Sequence, residues 1–307
     1  MTDYTNVSAR AMLVSLRIST WDAQRYDREV SDEVADAKRA DKSSGRYNKH
    51  LFGSRKSSRA IAPEFAAVHD AALALYNFHM ENTLPWGTNG DRLLATANYY
   101  AYSDGVRTRG LALEHAAADF VAAYPRLKDE ARLRLGSLYR DDDFPPVSDV
   151  RHRFTFDVAI WPVPSGGDIR VDLPADQISA IEAQINSKAE SRARDAMREA
   201  WARLHQVVDR IRRAASEAEG GRRNPVFSTL MTNARETCAL LARLNVGEDE
   251  RLDALRKRVE DELTVIEVED LRTDERLRAD TSRRAEDIAN AMSAFYSPPA
   301  AKDSAAA

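Results

Sequence analysis

Three segments of alternating apolar and polar residues predict a small β-sheet. In the first segment every second residue is apolar: Met12, Val14, Leu16 and Ile18. Residues 154–161 and 169–173 alternate in the same way, and the glycine-containing turn between them, 165–168, favours a hairpin. Because an isolated hairpin is only marginally stable, we expect strands at 12–19, 154–161 and 169–173 to form one antiparallel sheet covered by helices.

The rest of the chain has mainly helical periodicity, beginning with a first helix predicted from about residue 20 to 39. The clearest helix is predicted over residues 175–219, where apolar residues recur at spacings of three and four and Gly220 follows the last turn. At about 1.5 Å per residue this helix is roughly 60 Å long. One small sheet does not cover such a length, so the helix needs partner helices from this chain or from another subunit.

These patterns together predict a mainly helical α+β fold. Residues 1–173 are predicted to form an α+β domain with a basic loop at 39–59. Residues 174–296 are predicted to form a helical region, in which the long amphipathic helix leads into a C-terminal helical bundle. Residues 297–307, composed of proline, alanine and polar residues, are predicted to be a disordered tail.

Composition narrows the class of protein. The chain has 307 residues, of which 43% are hydrophobic and 31% charged, so a core can form beneath a strongly solvated surface. No apolar run approaches the roughly 20 residues that a membrane-spanning helix needs, and residues 1–10 lack the apolar segment of a signal peptide. The single cysteine, Cys238, allows neither an internal disulfide nor a cysteine-built zinc site. We therefore expect a cytoplasmic protein of a bacterial host cell, without membrane contact.

The motifs of common enzyme classes are absent from the sequence. The six histidines form no His-Glu-x-x-His pair, and there is neither a Walker phosphate loop nor a Gly-x-Gly-x-x-Gly loop. The acidic run Asp141–Asp143 precedes two prolines, an arrangement more typical of a solvated turn than of a cation site. We predict no catalytic residue, no metal and no cofactor, and hence a protein that is not an enzyme.

A basic segment after the first predicted helix is the strongest candidate for function. Between residues 39 and 59 seven basic residues stand against one acidic residue, Asp41, with ring-bearing residues among them. Clustered cations attract phosphates and release counterions on binding, and aromatic faces stack on unpaired bases at roughly 1–3 kcal/mol each. The residues predicted to contact nucleic acid are Arg39, Lys42, Arg46, Tyr47, Lys49, His50, Phe52, Arg55, Lys56 and Arg59. The alternative interpretation is a solvated linker.

Four segments resemble a family of uncharacterised phage and prophage proteins that share a domain of unknown function. They are Met12–Trp21, Ser44–Leu51, His79–Trp86 and Arg153–Asp157, and the likeness extends from about Leu13 to the last helix. The family offers no known fold, activity or catalytic residue to transfer. Its genes occur among phage replication and recombination genes, sometimes beside an AAA+ ATPase of the MoxR or cobalt-chelatase type. The resemblance therefore implies a role in DNA replication or recombination, or a partnership with an ATPase.

Two functions are predicted, and they belong to different classes. The first is sequence-independent binding or annealing of single-stranded nucleic acid, with DNA favoured over RNA, in phage recombination or replication by a homo-oligomer. The second is a non-enzymatic adaptor or structural protein that docks on the AAA+ ATPase through acidic C-terminal helices. Acidic residues outnumber basic residues between Glu248 and Asp287, which is the basis of the second prediction.

Overall fold

The computed structural model describes residues 6–54, 61–87, 90–216 and 227–296. It confirms a mainly helical α+β fold with a four-stranded antiparallel sheet and a two-stranded sheet. The helices in the described residues are α1 (Val7–Arg10), α2 (Arg28–Lys38), α3 (Pro63–Glu81), α4 (Tyr99–Leu135), α5 (Val147–Val150), α6 (Ala175–Ser216), α7 (Phe227–Leu244), α8 (Glu250–Glu262), α9 (Val268–Thr273) and α10 (Glu275–Ser293).

The four-stranded sheet contains two strands that the alternation predicts and two that it misses. Its strands lie in the order β4 (Leu84–Pro85), β5 (Arg92–Ala95), β1 (Ala11–Ser19) and β6 (Thr155–Pro162). β1 and β5 pair antiparallel, from Ala11 opposite Ala95 to Val14 opposite Arg92. The smaller sheet pairs β2 (Gln24–Tyr26) with β3 (Asn48–His50). β1 and β6 confirm the predicted strands at 12–19 and 154–161.

The strand predicted at 169–173 is wrong, because the chain turns toward α6 just before it. Residues Gly166–Asp168 form a 3-10 turn in which Ser165 and Asp168 close a capping box. The backbone N–H of Gly166 donates to Asn186 Oδ1 on α6 at 2.8 Å. This bond holds the turn against the helix, and residues 169–173 follow as irregular chain that does not pair with β6.

The first predicted helix begins later than its pattern indicates. Residues 24–26 form β2, and α2 starts only at Arg28. Asp27 is the N-cap residue, and its carboxylate accepts a hydrogen bond from the N–H of Val30 at 3.3 Å. A capping carboxylate satisfies one of the free N–H groups of the first turn, which fixes the start of the helix.

The described chain forms two compact units. The first unit draws on residues within 1–15, 81–101 and 159–307, and the second on residues within 16–80 and 102–158. The predicted domain boundary at residue 173 falls inside the first unit. The long helix therefore shares a unit with residues from both sides of that position.

The long helix α6 finds its partner helices within this chain. It packs chiefly against α10 and α7 in the first unit. Its apolar face is buried from Ala193 onward and places Trp201 and Leu204 in the core. Before Ala193 the same face is only half-buried or exposed, so roughly the first half of the helix lies at the surface.

An aromatic core holds the second unit together. Its rings come from the chain around β2 and β3, from α3 and α4, and from the segment before α5. They pack in edge-on and tilted pairs with centroids about 5–6 Å apart, the geometry that aromatic rings favour: Trp21, Phe52, Phe65, Phe120, Tyr124 and Phe144.

Candidate nucleic-acid interface

The basic segment divides into a described part and a part outside the description. Residues 39–54 are described, whereas Arg55, Lys56 and Arg59 lie outside the described residues. Within the described part, residues 48–50 form β3 and pair with β2. The predicted loop at 39–59 therefore contains a strand, and its side chains have two different environments.

Lys49 is buried, which contradicts its predicted contact with phosphate. Its side chain is 2% exposed, and Nζ lies 2.7 Å from Asp143 Oδ2 and 3.3 Å from Asp27 Oδ2. Nζ also donates to the carbonyl oxygen of Leu138 at 2.8 Å. All three partners belong to the second unit, so Lys49 has a structural role.

The Lys49 contact also affects the acidity of Asp27. Burial by itself raises the pKa of the Asp27 carboxyl group, because a charge is poorly solvated there. The hydrogen bond from the N–H of Val30 and the Lys49 ammonium group outweigh burial, and they hold this pKa below its ordinary value. Asp27 is therefore an ion in the folded protein at neutral pH.

Phe52 is buried as well, so its predicted stacking on a base is wrong. Its side chain is 3% exposed. The Phe52 ring centroid lies 5.3 Å from those of Phe65 and Phe120 and 5.7 Å from that of Trp21. His50 is half-buried, and its backbone carbonyl accepts a hydrogen bond from Arg134 at 3.2 Å.

The remaining predicted residues lie at the surface: Arg39, Lys42, Arg46 and Tyr47. Arg39 ends α2 in the left-handed conformation with φ 53°. Tyr47 is 38% exposed, and its backbone N–H donates to Ser31 Oγ at 3.0 Å. The guanidinium carbon of Arg46 lies 4.7 Å from the ring centroid of Tyr26, which is 44% exposed. The structure thus brings together a guanidinium group and two exposed tyrosines.

Two of these surface residues, Arg46 and Tyr47, line a pocket of about 320 Å³, which we call the α2 pocket. One wall is a face of α2, formed by Ser31, Val34, Ala35 and Lys38. The other wall is the chain that follows the helix, with Ala40, Asp41, Ser44, Gly45, Arg46 and Tyr47. Sequence reasoning missed Tyr26, Val34 and Lys38. The spacing of Ser31, Val34, Ala35 and Lys38 is the signal that they share one helix face.

The acidic residues of α2 lie away from the pocket face and are largely paired. Asp32 and Asp36 lie 3.5 and 3.8 Å from the ammonium group of Lys42. Glu29 pairs with Arg140 at 2.6 Å. In the described part of the second unit, no ion pair involves the side chains of Lys38, Arg39 or Arg46. These three cations stand at or beside the pocket without an ion-pair partner.

One anion lines the pocket itself. The carboxylate of Asp41 accepts hydrogen bonds from the backbone N–H and the hydroxyl group of Ser43, at 2.7 and 2.5 Å. These bonds hold the pKa of Asp41 below its ordinary value, so it carries a negative charge at neutral pH. Because both bonds engage Oδ1 of Asp41, that atom is already used within the loop.

Some of the acidic residues in the C-terminal helices form ion pairs within their own helix. Arg256 pairs with Asp253 and Glu260, each at 2.7 Å, and Arg258 pairs with Glu262 at 2.8 Å. These pairs neutralise part of the acidic surface on which the ATPase prediction depends.

Neither a protein-family model, nor a curated protein, nor a solved structure matches the chain. Among the described residues, no three His, Cys, Asp or Glu side chains come together as a metal site would require. None of the described helices has the length and apolarity that crossing a membrane demands. The phage resemblance, the cytoplasmic location and the ATPase partnership stay predictions.

Proposed function

We propose that the protein binds single-stranded nucleic acid without sequence preference through the α2 pocket. The observation that supports this function is that two cations, Lys38 and Arg46, line the pocket together with Tyr47. Arg39 stands between two lining residues, and Arg46 lies over the exposed ring of Tyr26. Cations of this kind contact phosphates, and the tyrosine faces stack on unpaired bases.

The size of the pocket favours a single strand over a duplex. Small-ligand sites have volumes of about 300–1,000 Å³, and the α2 pocket, at about 320 Å³, is at the lower end of that range. It therefore has room for about one nucleotide. A duplex keeps its bases stacked inside the helix, where the tyrosine faces do not reach them.

Two polar groups in the pocket are already used, which favours binding without sequence preference. Ser31 Oγ donates to the carbonyl oxygen of Asp27 at 2.6 Å and accepts from the N–H of Tyr47. Asp41 binds Ser43. Reading a base needs free donors and acceptors at its edge, and these two side chains offer few.

DNA as the strand, annealing as the activity and a homo-oligomer as the working form belong to the same proposal. The phage resemblance supports DNA and annealing. The surface-exposed first half of α6 supports association, because Ile178 and Ile181 lie on one helix face and are only half-buried. Light scattering with and without an oligonucleotide tests the oligomer: an unchanged monomer mass contradicts it.

Salt-dependent binding of a labelled poly-dT oligonucleotide tests the site. With three phosphate contacts the logarithm of the affinity should fall with the logarithm of salt with a slope of about −2 for a single strand. Arg46→Glu should weaken binding strongly. The matched control is Arg107→Glu, which changes an exposed arginine of the same unit that pairs with Asp104. Equal losses in both variants would contradict the proposal.

Stacking has its own control in the same assay. Tyr47→Ala should cost roughly 1–3 kcal/mol of binding free energy if a base stacks on this ring. Tyr100→Ala removes a tyrosine that is 85% exposed elsewhere on the protein, and it should leave the affinity unchanged. If Tyr47→Ala binds as well as the wild type does, base stacking at the α2 pocket is excluded.

A further inference from the structure

A second pocket lies in the first unit, beside the N-terminal half of α6. Its volume is about 140 Å³, and we call it the α6 pocket. It is lined by Trp86, Pro164, Ile185, Lys188, Ala189 and Arg192. The pocket combines cationic hydrogen-bond donors with apolar walls, and it shares no lining residue with the α2 pocket.

Trp86 supplies a buried donor without an acceptor. Its side chain is 2% exposed, and within the described residues the indole Nε1–H has no hydrogen-bond partner. Buried polar groups are nearly always hydrogen-bonded, and an unsatisfied one needs an explanation. The Nε1 atom is closed to solvent, so a ligand in the pocket contacts the indole ring and not this N–H.

Two cations line the pocket beside the Trp86 ring. Lys188 is exposed and Arg192 is half-buried, and they stand one turn apart on α6. Like charges at this spacing repel each other, and within the described chain neither side chain forms an ion pair. The Arg192 guanidinium carbon lies 5.8 Å from the centroid of the Trp86 ring. The positive charges therefore favour an anionic ligand.

The absence of a side chain at Gly87 lets the Arg192 guanidinium group lie close to the backbone. A Cβ atom at this position would lie 3.2 Å from the guanidinium carbon. Gly87 also has φ +78°, a conformation that other residues rarely adopt. The backbone beside Trp86 thus lets the cation approach the indole.

The walls of the pocket select for an aliphatic ligand. Pro164, Ile185 and Ala189 present apolar surface, and a volume of about 140 Å³ holds a group of only a few heavy atoms. We propose that the α6 pocket binds a short aliphatic carboxylate. The stem of the ligand contacts the apolar wall and the Trp86 ring, and its carboxylate accepts hydrogen bonds from Lys188 and Arg192. This chemistry occurs in a free short-chain acid and in an acidic peptide.

Indole resonances in a proton–nitrogen correlation spectrum test this site directly. The chain has four tryptophans, and Trp86→Phe assigns the Trp86 signal by its loss. Titration with butyrate should shift the Trp86 indole signal alone, with a dissociation constant of about 1 mM or weaker for so few ligand atoms. Butylamine, which has the same stem and a positive charge, should not shift it.

Variants on α6 separate the site from a general effect of salt. Lys188→Gln and Arg192→Gln should each weaken butyrate binding roughly tenfold or more, since each removes a charged hydrogen-bond partner. Arg194→Gln is the matched control, because Arg194 is an exposed arginine of the same helix that pairs with Glu190. Equal weakening by all three variants would overturn the proposal.

A second titration distinguishes a free acid from an acidic peptide as the natural ligand. A capped peptide with one glutamate should bind more tightly than butyrate if a protein partner is the natural ligand, and less tightly if a free acid is. Inorganic phosphate binding more tightly than butyrate would overturn the aliphatic specificity. No shift of the Trp86 signal at about 50 mM butyrate, well above the expected dissociation constant, would overturn the site.

Discussion

Lys49 and Phe52 show how a side chain's role depends on residues that are distant in sequence. Both stand in a segment with the composition of a surface loop. Yet Lys49 contacts Asp143, and Phe52 contacts Phe120 on α4. The composition of a segment contains no information about contacts with distant residues. Sequence reasoning therefore placed both residues at the surface. Arg46 and Tyr47, whose side chains are not packed into the interior, are at the surface as predicted.

We expect Lys49→Met to destabilise the fold in a pH-dependent way. At neutral pH the change leaves Asp27 and Asp143 without their cation, and breaking a buried ion pair costs roughly 3–5 kcal/mol. The folded pKa of Asp27 is lowered. Its contribution to stability is therefore present above its unfolded pKa of about 3.9 and lost as the pH falls through the folded value. The deficit of the variant should thus shrink in acid.

Urea unfolding at pH 7, 5 and 3 measures this difference. Lys42→Met is the matched control, because Lys42 is an exposed lysine that pairs with Asp32 and Asp36. Exposed pairs contribute about 0–1 kcal/mol, so this variant should lose little stability at any pH. Equal losses for the two lysines at pH 7 would show that Lys49 is not a buried structural ion.

At the scale of elements, a regular apolar pattern predicts the helices and strands that pack one face against a core. α6 and β1 carry long, regular apolar patterns, and the structure confirms both. β5 is missed because its four residues, Arg92–Ala95, are too short to show alternation. Residues 169–173 alternate without a partner strand, because the bond between Gly166 and Asn186 turns the chain aside. Short strands and turns depend on such distant contacts, which a local pattern does not contain.

The packing of Phe78 on α3 against α4 depends on the absence of a side chain at Gly105. A Cβ atom at Gly105 on α4 would lie 2.0 Å from Phe78 Cζ on α3. The Phe78 ring is held by Arg109, whose guanidinium carbon lies 4.0 Å from its centroid, and by the stacked ring of Tyr102. Because the ring has neighbours on two sides, it does not move aside at low cost.

Gly105→Ala should therefore destabilise the protein by about 1–3 kcal/mol, the usual cost of overpacking. This is opposite to the gain of about 1 kcal/mol that alanine brings to a helix interior. Thr108→Ala, at an exposed position of the same helix, should be neutral or slightly stabilising. Chemical denaturation measures both, and a stabilised Gly105→Ala variant would contradict the tight helix contact. Adding Phe78→Leu should recover part of the loss.

At the scale of the whole molecule, net charge hides the local distribution. The formal net charge of −4 disfavours a polyanion at long range. Two cations, Lys38 and Arg46, line the α2 pocket with one anion, Asp41. Three acids of α2 pair with Lys42 or Arg140 instead. Binding to nucleic acid is thus a local property that the total charge does not report.

A strand that binds only the folded protein should also stabilise it. Poly-dT oligonucleotide at 100 times its dissociation constant should add about 2.7 kcal/mol to the free energy of unfolding. The thermal midpoint should rise in low salt, and the rise should disappear near 1 M salt because exposed charges are then screened. Arg46→Glu should show a smaller rise than the wild type. A rise that persists in high salt would contradict binding through phosphates.

The anchoring of the chain on both sides of residues 40–47 has a consequence for recognition. α2 ends on one side, and Lys49 and Phe52 fix the other side in the interior of the second unit. Arg46 and Tyr47 are therefore preorganised, and a ligand meets them without first ordering a mobile chain. A substitution of Phe52 that touches no ligand should consequently weaken binding by releasing this constraint.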